Sequence, residues 1–520
     1  MPASHKLIAL QLPPGMARAA TPYDTTNRWY DLNLMRWVAG SLRPIGGWER
    51  MTPAPFSAPA RKLFSWRSNE ADRSLMIGTD HQLIVDKGGA GTYVDITPSG
   101  FVLPVASNTG GYSTGPFGMD FYGTPRDPAV TTGAYSNFAH WSMDNWGEDV
   151  LVTANTDGRI WHFVHDDLTP LPPVLVAGTK PVGSPQAPPN SISSLIVTAE
   201  RHVMAIGGAI GGTYYPYRIY WSSREDMTDW DFASITNSAG FLDLQATSPL
   251  MTAVHVREGI LVFSHTEVFL ISYVGGPYYY GATKIGEMKM MNPYGIATFM
   301  GGAFWATDRG FHLYTAGYVS PLNCEFFDDI VAEVDETWGP LRVTAAWNGV
   351  YNEVWWSYPT HDNSENDKYV IFHLNEGWFA WGYIGRSAML PAGTWQQPIM
   401  GGTNGHLYLH ERGWSAAGEP ILFDRYVETG ALGLADGTNI VEVHQALIAA
   451  SLPGTWRIEF FSRFTPHGAE KHYGPYSERP DGYTDTRVSG REARVRLTCA
   501  VDANVALGKT RLAVRAAGTR

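Results

Sequence analysis

Cysteine is almost missing from this chain of 520 residues, with only Cys324 and Cys499 present. Two thiols cannot staple a fold of this size, so a disulfide framework is excluded and formation in a reducing cytoplasm is expected. Long apolar runs are missing too. The most apolar stretch, Ile260 to Val274, is broken by His265 and Glu267. It falls short of the roughly 20 residues that a membrane-crossing helix needs, so no transmembrane segment or membrane anchor is expected. The N-terminal run Leu7 to Leu10 stops at Gln11, Pro13 and Pro14, too short for a secretory signal core. Positive charge is in deficit as well: 38 Lys and Arg stand against 50 Asp and Glu, a formal net charge of −12. Tight binding through phosphate neutralisation needs clustered positive charge, and this balance opposes it.

What the chain does have is aromatic residues, at 13%, together with 55 Gly and 34 Pro and few long amphipathic helical patterns. Rings favour a pleated surface, and Gly and Pro mark turns, so the composition points to many short strands. With 44% hydrophobic residues the chain can bury a large core and hold more than one domain.

A pattern recurs along the chain: an apolar strand runs into Thr-Asp or Thr-Asn, turns, and leaves as a second strand. The copies are Ser74 to Val85, Val150 to Phe163, Ala303 to Tyr314 and Ile399 to His410, with a degenerate fifth from Gly259 to Tyr273. Asp or Asn at a tight turn closes a hairpin, and the spacing suits four-stranded blades of about 40 to 50 residues. The segment Trp347 to Tyr383 reads as three strands of such a blade, Glu353 to Tyr358, Lys368 to Leu374 and Trp378 to Tyr383. Val203 to Ile206 with Arg218 to Ser222 is a further candidate pair. The expected fold is all-β: a β-propeller of about six to eight blades over residues 56–415, preceded by an extended arm (1–55). Projecting loops are expected near 97–140 and 169–190. After Trp414 the segments Arg457 to Phe464, Thr484 to Gly490, Arg491 to Asp502 and Thr510 to Ala517 alternate apolar and polar residues. That period predicts a separate C-terminal β-sandwich-like domain, 416–520.

Catalytic patterns are thin. Gly111 to Gly115 fits G-x-S-x-G, but glycine-rich loop surrounds it where a strand and a helix are required. His361, His373, His406 and His410 lack the spacings of known metal sites and read as hydrogen-bonded histidines. Carboxylates such as Asp328-Asp329 and Glu225-Asp226 could in principle form a glycosidase pair, yet the Asp of the repeat sits at the hairpin position and reads as a turn cap. Trp161, Trp305, Trp355 and Trp378 lie inside expected strands and read as core rather than sugar platforms. No phosphate-binding Gly-Lys-Ser/Thr loop occurs. The expectation is a protein without catalytic residues, cofactor or metal.

Three blocks resemble the tail hub or nozzle proteins of short-tailed bacteriophages, the packaged-DNA stabilisation type. They are DLNLMRWVAGSLRPIGGWER (residues 31–50), NPYGIATFMGGAFWATDRGFHLYTAGYVSPL (292–322) with the Trp347 to Tyr383 segment, and the alternating strands from Arg457 to Ala517. The resemblance implies a virion tail protein, made in the bacterial cytoplasm, that forms a ring of six copies. Such a ring would retain packaged DNA and act as the conduit for genome ejection. It would link the portal-adaptor to a tail fibre, tailspike or tail-tip protein, with double-stranded DNA passing through the lumen without tight binding. The acidic balance suits that passage, because carboxylates repel phosphate. Ring closure needs head-to-tail contacts, and Arg28, Trp29, Arg36, Trp37, Arg43 and Trp48 are the candidates for docking to a neighbouring subunit or the adaptor. The alternative readings are a tail-associated propeller enzyme, or an adhesin, acting on host surface polysaccharide.

Overall fold

A computed structural model describes residues 6–18, 21–102, 104, 139–165, 170–177, 187–361, 363–422, 424–432, 439–465 and 467–518. The Gly111 to Gly115 pattern, most of the expected loop region 97–140, and residues 169 and 178–186 of the second lie outside them. Among the described residues are seven four-stranded antiparallel sheets, two larger sheets, one small hairpin and two short helices, Phe327–Glu333 and Gly339–Arg342.

The seven sheets are the blades. Their innermost strands are Ala60–Arg67, Trp141–Trp146, Ser194–Val197, Leu250–Val256, Ala297–Phe299, Thr344–Asn348 and Arg386–Leu390. Each touches the next, and the last touches the first. The chain forms a closed seven-bladed β-propeller. Six blades run outward in chain order, whereas blade 7 (386–410) takes its outermost strand, Trp48–Arg50, from the far end of the sequence. That strand ties the first part of the chain to the last blade and pairs the edge of Leu407–His410.

Every copy of the repeated pattern is the hairpin between the second and third strands of a blade: blades 1, 2, 4, 5 and 7. Blade 3 interrupts this hairpin with the small ribbon Ala209–Ile210 and Thr213–Tyr214, and blade 6 does so with the loop from Pro359 to Asp367. The expected turn cap needs correction. In blade 1 the Thr79 hydroxyl, not Asp80, accepts the amides of His81 and Gln82, at 3.2 and 2.9 Å. Thr307 Oγ1 accepts the Arg309 amide at 3.2 Å and donates to the Gly310 carbonyl at 3.0 Å. Ser264 does the same in the degenerate copy, accepting from Thr266 and Glu267 at 3.2 and 2.9 Å. All three hydroxyl residues are fully buried, which makes the short hydroxyl the better fit to the turn. Asp157 and Asn404 do cap their own turns, through Arg159 and His406.

The core is split among the blade interfaces. Separate buried clusters lie between blades 1 and 2 (Trp66, Met76, Trp141, Phe163), between 4 and 5 (Leu261, Phe263, Trp305, Tyr314), and between 7 and 1 (Leu63, Ile77, Ile399, Leu407). Trp161, Trp305, Trp355 and Trp378 are all buried. Burial of each such ring is worth about 1.5–3 kcal/mol, so the interfaces carry much of the propeller's stability.

The rest of the chain forms two sheets. One contains Met35–Val38, Ser41–Pro44, Leu507–Ala516, Val441–Ala450 and Tyr483–Gly490, with Lys6–Ala9 also paired to Leu507–Ala516. The other orders Trp29–Asn33, Tyr426–Thr429, Glu492–Cys499, Trp456–Arg463 and Lys471–Ser477. Val443, Val488 and Leu512 from the first share a buried cluster with Leu32, Ile458 and Leu497 from the second. Residues 416–520 therefore do not build these sheets alone, and residues 1–55 are not a free arm. The arm supplies four strands to the two sheets and one to blade 7.

Candidate functional site: the junction of propeller and C-terminal sheets

The hairpin Met35–Val38 and Ser41–Pro44 brings Arg36 to the seam between the two modules, where blades 6 and 7 meet the arm. Arg36 is 1% exposed, and it lies 3.1 Å from Glu353 of blade 6 and 2.5 Å from Glu411 after blade 7. The Tyr351 ring sits 3.8 Å from its guanidinium carbon. Glu411 also accepts from the Gly46 amide and from Asn348, each at 3.2 Å, and Glu353 accepts from Trp355 Nε1 at 3.1 Å.

One cation between two buried carboxylates leaves a surplus of negative charge. Burial raises the Glu353 pKa to about 7, Arg36 opposes the rise and Glu411 adds to it. For Arg36, burial disfavours the charge, but Glu353 and Glu411 outweigh burial and hold the guanidinium firmly protonated.

A second buried arginine ties the same seam from the other side. Arg425 donates to Asp502 at 2.9 Å, to the Ile45 carbonyl at 3.2 Å and to the Trp414 carbonyl at 2.8 Å. It thus joins the arm, the connection out of blade 7 and the end of a C-terminal strand. Further hydrogen bonds fill the gaps: the Leu34 amide donates to Tyr369 Oη at 3.1 Å, Asn33 Oδ1 accepts from the Tyr383 amide, and the Asp31 carboxylate accepts from both Trp381 and Tyr426. Close backbone approach is required at Gly430, where a Cβ would meet the Thr25 carbonyl oxygen at 1.7 Å.

The residues expected to dock to another protein are placed as follows. Arg36, Trp29 and Trp37 are buried within the chain, and Trp37 packs edge-on against Trp378 of blade 6 at 5.1 Å. Trp48 lies in the closing strand, stacked on His410 at 5.5 Å with the Arg386 guanidinium over its ring at 5.1 Å. Arg43 lies opposite Arg36 in the hairpin and is half-buried. Arg28 alone makes a largely solvent-facing ion pair, with Glu325 at 3.0 Å. The surface this aromatic block was expected to need is therefore its own chain: blade 6, blade 7 and the C-terminal strands.

Glu353, Glu411, Arg386 and Arg425 were not legible as partners, because each lies within or beside an apolar strand and its partner is remote in sequence or not marked by any local pattern. A buried charge at an apolar position is a signal that some partner exists, without saying which. The four histidines read as hydrogen-bonded each have such a partner. His410 is buried and accepts from Arg386 Nε at 2.7 Å, and burial, reinforced by Arg386 and Arg36, holds it neutral. His406 bonds Thr52, His361 bonds the Ala332 carbonyl and His373 accepts from the Glu376 amide. Among the described residues, no group of three or more His, Cys, Asp or Glu is placed to hold a metal ion. What the junction can do is positional: it fixes the propeller and the two sheets in one relative orientation.

No protein-family model and no curated protein matches the chain. Solved structures similar to it include YCF48 from Cyanidioschyzon merolae, 11% identical, over 70% of this chain and 99% of that one, with a TM-score of 0.36. The Pan2 WD40 domain of Neurospora crassa is 9% identical over 70% and 94% of the two chains, with a TM-score of 0.38. The extracellular domain of a putative one component system, BT4673, from B. thetaiotaomicron is 11% identical over 78% and 40%, with a TM-score of 0.32. Likeness at this level carries no argument about function, and the propeller assignment stands on the closed ring of sheets.

Proposed function

We propose that this chain is a structural subunit of a bacteriophage tail, a nozzle or hub whose copies form a ring around the path of the genome. The observation that supports this reading is the junction itself. The three blocks that resemble the nozzle family are remote in sequence, yet they supply the arm hairpin, blades 5 and 6 and the C-terminal strands that pack into one buried cluster. A subunit that must hold against internal pressure gains from two modules fixed to each other by buried ion pairs.

In this reading the genome path lies between subunits. The hollow along the propeller axis, about 420 Å³, is the size of a small-molecule pocket and cannot pass a duplex. Six copies would form the ring, with the portal-adaptor on one side and a fibre, tailspike or tip protein on the other. Exposed apolar side chains on blades 3 to 5, among them Phe241, Tyr273, Tyr278 and Tyr318, offer a surface for a head-to-tail neighbour. The net charge of −12 would let DNA slide past rather than adhere.

Electron microscopy of the purified protein and of tail assemblies tests the reading. Rings of about six subunits, lost in a Tyr278→Asp, Tyr318→Asp double variant, are the expected result. Release of reducing sugar from host capsule would replace the structural reading with the enzymatic one, and glycan binding without turnover would replace it with the adhesin.

A further inference from the structure

The propeller axis holds a cavity that the junction does not use. Lys62, Asp144, Thr252, His255, Tyr294 and Trp347 contribute to its wall, and a narrower extension of about 90 Å³ runs past Lys62 and Thr252 towards Arg61, His140 and Arg342. Ile296 and Met389 give both parts an apolar side.

The charges along this wall are unequally compensated. Arg61 bonds Asp80 at 2.8 Å and Glu365 at 2.7 Å, and Arg342 reaches Glu365 at 2.7 Å. Asp144 accepts from the Val197 amide at 2.7 Å and faces His255 Nε2 at 3.0 Å. Lys62 differs. The strand register shifts between Ala60 and Lys62, which directs Arg61 to its two carboxylates and leaves Lys62 on the cavity wall. No hydrogen bond or ion pair to the Lys62 ammonium occurs among the described residues, and Asp144 acts on it only from beyond contact distance. The Lys62 side chain is exposed to solvent on that wall. His140, stacked on Tyr294 at 3.5 Å, is held neutral by burial and by Arg61, so it adds no counter-charge.

An ammonium without a partner on the wall of a cavity, beside apolar and aromatic side chains, is complementary to an anion with a small organic body. We propose that Lys62 anchors an anion site in the propeller axis, taking a small molecule with a phosphate or carboxylate group whose remainder lies against Tyr294, Ile296 and Met389. The site does not depend on the tail assignment, since it is built within one chain.

Competitive labelling of the intact protein tests this. Lysines are acetylated with limiting acetic anhydride at neutral pH, alone or with inorganic phosphate, acetate or phenyl phosphate, and the modified positions are read by mass spectrometry. Each anion is expected to slow labelling of Lys62 several-fold while Lys6 and Lys471, exposed elsewhere, are unaffected. Phenyl phosphate is expected to act at a concentration at least tenfold below inorganic phosphate, because only it uses the apolar wall. Unchanged labelling of Lys62 with all three anions, or equal slowing at all three lysines, would overturn the proposal. Titration calorimetry adds a second reading: Lys62→Met is expected to lose at least tenfold in phenyl phosphate affinity, and retained affinity counts against the site. The labelling experiment decides the matter with the natural sequence should that variant not fold.

Discussion

The propeller and the C-terminal sheets are both antiparallel β-structure, but they are assembled from different kinds of contact. A blade is a meander of neighbours in the chain, so its strands find each other across short turns, and one strand in the ring, Trp48–Arg50, comes from afar. In the C-terminal pair, local hairpins such as Trp456–Arg463 with Lys471–Ser477 are joined by pairings across the chain: Lys6–Ala9 lies against Leu507–Ala516 and Trp29–Asn33 against Tyr426–Thr429. Local pairing has a small loop-closure cost, whereas pairing across the whole chain must be repaid by burial once the ends have met. The propeller should therefore hold together when the ends are disturbed, and the two sheets should not.

The strongest way to break this contrast is to delete residues 1–44, which leaves the closing strand of blade 7 in place. Hydrogen exchange is expected to show near-complete loss of amide protection in Val441–Ala450 and Glu492–Cys499, with blades 1 to 4 still protected. Equal loss in both regions would show that the modules fold as one unit. Next in size is Arg36→Ala, which strands Glu353 and Glu411 together in a buried seam. Breaking a buried ion pair from one side costs about 3–5 kcal/mol, readable as a shift in the denaturant midpoint.

Acidity probes the same seam. Glu353 keeps its proton in the folded protein up to about pH 7, while the unfolded chain releases it near 4.5, so the folded state binds more protons between these values. Its contribution to stability is thus fully present below pH 4.5, falls as pH rises to about 7, and is flat above; the span is at most about 3 kcal/mol. Glu353→Gln should flatten that slope in urea unfolding measured across pH, and an unchanged slope would assign the titration elsewhere. The smallest effect belongs to a single blade turn. Thr307→Val removes the hydroxyl that serves the Arg309 amide and the Gly310 carbonyl, and should lower stability by about 1–2 kcal/mol in thermal unfolding without altering the C-terminal sheets.

The same contrast governs what could be read from the residues alone. Blade hairpins were legible because strand, turn and strand are consecutive: the copies beginning at Ser74, Val150, Ala303 and Ile399 each fall on the second and third strands of a blade. The turn chemistry was legible only by residue type, since the pattern Thr-Asp does not say which side chain serves the turn: in blades 1 and 5 it is the buried threonine, in blades 2 and 7 the Asp or Asn. The fate of the arm was not legible. Nothing local in residues 28–50 distinguishes tryptophans meant for another protein from tryptophans meant for blade 6, and the carboxylates that settle Arg36 are more than 300 positions away. Likewise the register shift that separates Arg61 from Lys62 is a property of the paired strand, not of the sequence Arg-Lys.

The pairing of Lys6–Ala9 with Leu507–Ala516 also sets a timetable. At ribosomal rates of 5–20 residues per second, the first strand emerges roughly 25 to 100 s before its partner exists. For most of that interval the aromatic segment around Trp29 and Trp37 lacks its partners, Tyr426–Thr429 and Trp378, and is exposed to chaperones and to other nascent chains. Completion of this sheet thereby waits for residues 507–516 to be made, and a chain cut short of them would lack the strand that pairs with Lys6–Ala9.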